Sequence, residues 1–147
     1  MNSVLYVLAF VAGAALVLQT GMNAMLGRAI GGNPIGAVLV NFSIGALGTL
    51  LFLLVTRTPV PAREQLAAVP TGAWFAGLIG AFYVGVVTIA GPRVGALLVL
   101  ALTVAGQMLT SLLVDHFGVL GFPRDPVTFT RLLGAALLFA GVLLVAR

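Results

Sequence analysis

Five stretches of about twenty residues pass with almost no charge, and this repetition constrains the fold more than any other feature of the chain. They cover residues 4–26, 34–55, 71–90, 92–114 and 127–146, and the only charged side chains inside them are Arg93 and Arg131, each near a start. A helix needs about 20 apolar residues to cross the hydrocarbon core of a bilayer, so each stretch is read as one membrane span. The expectation is a single all-α integral membrane domain over residues 1–147. The runs do not alternate with period two, which argues against a membrane β-barrel. The first run lacks a cationic start and is too long for a signal sequence, so it is read as retained.

Punctuation supports the division. Gly31-Gly32 breaks the first helix, and Asn33-Pro34 restarts the chain with a capping residue followed by proline at the first helical position. Residues 57–70 form the longest polar stretch, within which 61–68 suit a short interfacial helix. Gly91-Pro92 is expected to reverse the chain between the third and fourth spans, and Asp125-Pro126 to open the fifth. Span three carries small residues four apart on two neighbouring faces: Gly72, Ala76 and Gly80 on one, Gly77, Ala81 and Gly85 on the other. Helices in lipid associate through such close-approach faces, which suits span three to the middle of a bundle or to a subunit interface.

Charge narrows the function classes. Only 7% of the 147 residues are charged against 61% hydrophobic, far too little polarity for a soluble domain. All seven basic residues are Arg, scattered singly, so they read as membrane-flank groups and not as a nucleic-acid site. There is no Cys, and one His with three acids offers little for catalysis. The reading is a non-enzyme that calls for no cofactor or metal. With five spans, Arg57, Arg63, Arg124 and Arg131 fall on one side of the membrane and Arg28, Arg93 and Arg147 on the other. Orientation normally follows the Arg/Lys bias of short loops, and four against three is almost none. The chain is therefore expected either to take a fixed orientation for another reason, or to insert both ways and pair as an antiparallel homodimer.

Polar groups within spans are costly unless used, so they are the candidate site. Gln19 and Asn23 lie four apart on one face of span one, Asn41 is in span two, and Thr103, Gln107 and Ser111 form a stripe on span four that Asp115 continues. Tyr83, near the middle of span three, is added as a candidate. These residues are expected either to bond helix to helix or to line a substrate cavity. Asp115, His116 and Arg131 gather near one membrane edge as an interfacial ion pair or as a gate and coupling site.

The segment from Gln19 to Gly27 resembles the Q-x-x-x-N-x-x-L stretch of the YdcZ-like family within the drug/metabolite transporter superfamily. Gly80 to Val84, Pro92-x-x-Gly95-Ala96, Gly106-Gln107, Asp115-x-Phe117-Gly118 and Arg131-x-x-Gly134 are similar to further pieces of that family, in order over nearly the whole chain. One departure is the aromatic cluster before span three, reduced here to Trp74-Phe75. The resemblance implies a five-helix half of a ten-helix inverted-repeat fold in the bacterial inner membrane. It also implies a partner, either a second copy in opposite orientation or a paired five-helix homologue. The function it implies is a small-molecule secondary transporter, an exporter of metabolites or drug-like compounds working by alternating access. The alternatives are a passive channel formed by a dual-topology dimer and a non-transporting membrane subunit.

Overall fold

The computed structural model describes residues 2–146, so Arg147 of the charge tally lies outside the described residues. Six α-helices and one 3-10 turn follow one another: α1 (Asn2–Ala29), α2 (Pro34–Val55), α3 (Arg63–Ala67), the 3-10 turn (Thr71–Phe75), α4 (Ala76–Val94), α5 (Ala96–Phe117) and α6 (Phe129–Val145). The chain divides into two compact units, one ending at Arg93 and the other starting at Val94. In hydrocarbon no water satisfies a free N–H or C=O, so helices that close their own backbone bonds are the natural outcome of such apolar sequence. Four segments are both long and apolar enough to cross a membrane: α1, α2, the 3-10 turn together with α4, and α5. Helix α6 has 17 residues, the short end of the spanning range.

In the first unit α1 meets α2 at a tight corner. Asn33 caps α2 by accepting a hydrogen bond from the Gly36 N–H at 2.8 Å, with Pro34 at the first helical position, as the sequence predicts. Its own N–H donates back to the Gly27 carbonyl at 3.0 Å. Gly27 is buried there, and a Cβ on it would stand 3.3 Å from the Pro34 Cα, so a side chain would fit only if the corner gave by a few tenths of an ångström. The polar stretch that follows holds the expected short helix, α3, whose start is tied by the Ala62 N–H donating to Gln65 Oε1 at 2.8 Å.

Two boundaries differ from the sequence expectation. Gly91-Pro92 does not reverse the chain: α4 runs through both to Val94, and the break comes at Gly95, with φ 92° and ψ 145°. That conformation is essentially closed to residues with a Cβ. Proline is tolerated in membrane helices, and here it falls in the last turn. The site of the break is therefore decided by the glycine that leaves helical space, not by the proline.

Likewise, Asp125-Pro126 does not open the last helix. Helix α6 starts at Phe129, where the Thr128 hydroxyl accepts from the Arg131 N–H. Asp125 is engaged elsewhere, its N–H donating to the Asp115 carbonyl at 2.8 Å. Helix α5 ends on Gly118, in the left-handed region with φ 63°, the usual geometry of a glycine terminator.

Gly118 generates a prediction. A Cβ there would lie 2.8 Å from the Arg124 Cβ and 3.1 Å from its Cα, on a backbone that already disfavours side chains. Gly118→Ala should cost about 1–3 kcal/mol of stability. Gly48 is helical with open space around it, and Gly48→Ala should be within about 0.5 kcal/mol of the parent. Reversible unfolding of the two variants in detergent micelles measures both.

Candidate functional site

Helix α1 places Gln19 and Asn23 on one face, four residues apart, and α2 brings Asn41 against them. The Gln19 Nε2 donates to the Asn41 Oδ1 at 3.4 Å, a long bond that leaves both amides with unused capacity. The three amides open on a groove of about 520 Å³ whose apolar wall includes Leu18, Met22 and Ile44. A volume of this size, mostly apolar with a few convergent polar groups, is typical of a small-molecule site. Asn23 is only 4% exposed, and its Nδ2 has no acceptor. A buried amide without a partner costs about 1–3 kcal/mol, which sets Asn23 apart from the paired Gln19 and Asn41. Amides carry no charge and both donate and accept, which suits a neutral or zwitterionic polar solute.

The remaining candidates lie elsewhere. Thr103, Gln107 and Ser111 are on α5, in the second unit. The Thr103 hydroxyl donates to the Leu100 carbonyl at 2.9 Å, while Gln107 and Ser111 are exposed. Tyr83 is half-buried on α4, next to buried Val84. Of the small residues, Gly72 lies in the 3-10 turn and Ala76 and Gly77 are exposed, with open space where a Cβ of Gly72 or Gly77 would stand. A Cβ on Gly80 would stand 3.7 Å from the Phe42 ring and one on Gly85 3.9 Å from the Ile35 Cδ1, with half-buried Ala81 between them in sequence. The later part of α4 therefore comes near α2 at the Phe42 and Ile35 side chains.

Asp115, His116 and Arg131 do come together, around the α5–α6 connector. The Arg131 Nη1 lies 3.6 Å from the Asp115 carboxylate, and its Nη2 pairs with the Asp125 carboxylate. The Nη1 also donates to the Asp125 carbonyl at 3.2 Å. His116 accepts a hydrogen bond at Nδ1 from the Val127 N–H at 3.2 Å, and its ring stands edge-on to Phe117 with centroids 4.9 Å apart. Arg131 thus bridges two acids across the connector while His116 fastens its far end. Asp125 as the second acid was missed in the sequence, because Asp before Pro reads as a helix cap. The apolar groove wall was missed too, since Met22 and Ile44 look like any lipid-facing residue until the corner at Gly27 turns α2 onto α1.

Among the described residues no group of three or more His, Asp or Glu side chains is placed to hold a metal ion.

Neither a curated protein nor a solved structure matches the chain. A family model does, described as "Putative inner membrane exporter, YdcZ", over residues 4–144. That match takes in the amide groove, the small-residue helix and the Arg131 connector alike, and a multi-pass inner-membrane protein with a transporter-type role fits the membrane-length helices. The chain belongs to the YdcZ family of inner membrane exporters.

Proposed function

We propose that the protein is a secondary transporter that exports small metabolites or drug-like compounds by alternating access, and that Gln19, Asn23 and Asn41 bind the solute. The observation that carries this reading is the buried Asn23 amide with no acceptor, in a small-molecule-sized groove beside a stretched Gln19–Asn41 bond. A solute carbonyl or hydroxyl would satisfy Asn23, and the cost of leaving the amide unpaired would favour binding. In this reading Thr103, Gln107, Ser111 and Tyr83 are further polar groups that contact the solute. Asp115, His116 and Arg131 form the gate, because breaking or making the Arg131 bridges would change how α5 and α6 are tied at that membrane edge. The full unit has five crossings per chain, with α6 as the fifth, and a second copy in opposite orientation or a paired homologue. The near-even Arg distribution supports insertion in both directions.

Three outcomes follow. In proteoliposomes, with a solute identified by a solid-supported-membrane current screen, Gln19→Leu and Asn23→Leu should each cut counterflow by about tenfold or more while the protein inserts and purifies normally. Unchanged counterflow in both would remove the groove as the binding site. Arg131→Gln should lower transport with only a small change in melting temperature; loss of folded protein without a separable transport defect would make the bridges structural pins. A tag-accessibility assay in intact cells should find each terminus on both sides of the membrane, and a single orientation would rule out the homodimer arrangement.

A further inference from the structure

A second cavity in the first unit is separate from the amide groove in chemistry and in the residues that line it. It encloses about 200 Å³ where the last turns of α1 and α4 meet the start of α2, and its wall includes Arg28, Arg93, Thr88, Gly32 and Pro34. Arg28 and Arg93 both line this wall, and no carboxylate lines it with them. The acids of the chain are Glu64, Asp115 and Asp125, and among the described residues the ion pairs are those of Arg131 with Asp115 and Asp125. Each Arg complements the negative end of its own helix, but that explains neither their convergence nor the third wall, which is the positive end of α2.

Thr88 is the independent observation. It is 2% exposed, and its hydroxyl has no hydrogen-bond partner. A threonine in a membrane helix ordinarily satisfies its hydroxyl on the carbonyl three or four residues back, as Thr110 does with Gly106 at 2.9 Å. Thr88 does not. Two χ1 wells are open to threonine in a helix, so rotation about Cα–Cβ re-aims the hydroxyl of a residue that already lines the cavity. The site therefore brings two arginines beside a buried hydroxyl without a partner.

We propose that this cavity binds a phosphate-type oxyanion, with Arg28 and Arg93 each donating to its oxygens and the Thr88 hydroxyl supplying a third donor. Guanidinium groups match phosphate oxygens in paired hydrogen bonds, and basic pockets between membrane helices are a known way to hold lipid head groups. A volume of about 200 Å³ falls short of a drug-sized ligand site and suits one small group. The oxyanion can come from an anionic phospholipid or from a free phosphate-bearing solute, and the experiment separates the two.

The full chain, purified in a neutral maltoside detergent, is titrated with inorganic phosphate and separately with dioctanoyl phosphatidylglycerol, reading thermal stabilisation. The parent should show saturable stabilisation by at least one probe. Arg28→Gln and Arg93→Gln should each weaken it by about tenfold or more, and Thr88→Val should weaken it while Thr88→Ser retains it. Arg63→Gln, on α3, should leave binding unchanged. Binding of phosphate that the lipid displaces identifies a solute site open to head groups, and binding of the lipid alone identifies a head-group site. The proposal is overturned if neither probe stabilises the parent, or if Arg63→Gln weakens binding as much as Arg28→Gln does. It is equally overturned if Thr88→Val, shown to be monodisperse and helical, binds like the parent.

Discussion

The organising constraint is that a backbone in hydrocarbon must satisfy itself. Helices answer it, and once they do, the side chains that matter are the few polar ones left inside. A soluble domain can place an amide almost anywhere and let water compensate. Here Gln19, Asn23, Asn41 and Thr88 sit in helices that are otherwise almost wholly apolar, so each must find a partner in the protein, in lipid or in a ligand. Gln19 and Asn41 find one another imperfectly. The Asn23 amide nitrogen and the Thr88 hydroxyl find none. The two unpartnered groups lie on residues that line two different cavities, one without a charged side chain and one whose lining includes Arg28 and Arg93.

Much of this was legible before any coordinates. The start of α2 follows directly from Asn33-Pro34, because a cap side chain and a proline each act through local geometry that tertiary packing does not alter. The amides were legible because polar groups in apolar helices stand out by contrast. What was not legible depended on choices between equivalent local signals. Gly91-Pro92 and Gly95 both offer a break, and it falls at the glycine whose φ of 92° leaves helical space. Asp125 could cap a helix or pair with a cation, and the presence of Arg131 six residues on draws it to the cation. Thr88 gave no signal, since a threonine in a span usually bonds its own helix. The hint was its spacing from Pro92: proline has no N–H to donate to the carbonyl four residues earlier, which marks the turn containing Thr88 as one with unused polar capacity.

The small residues of α4 divide by position in the same way. Gly80 and Gly85 meet α2 side chains, whereas Gly72 and Gly77 stand over open space. The first half of that helix and its preceding turn therefore keep a thin, unobstructed face, while the second half is committed to its own chain. Sequence periodicity alone gives both faces equal weight, because it counts spacing and cannot see which turns a neighbour already covers.

The connector between α5 and α6 has a consequence for how the protein is made. Helix α6 is 17 residues long and carries Arg131 in its first turn, a poor candidate to enter a bilayer by itself. Its guanidinium is neutralised by acids that precede it in the chain, Asp115 and Asp125, so both counter-ions have left the ribosome before the arginine does. The pairing therefore needs no residue made after Arg131, and the α5–α6 connector can be tied as soon as α6 begins to form.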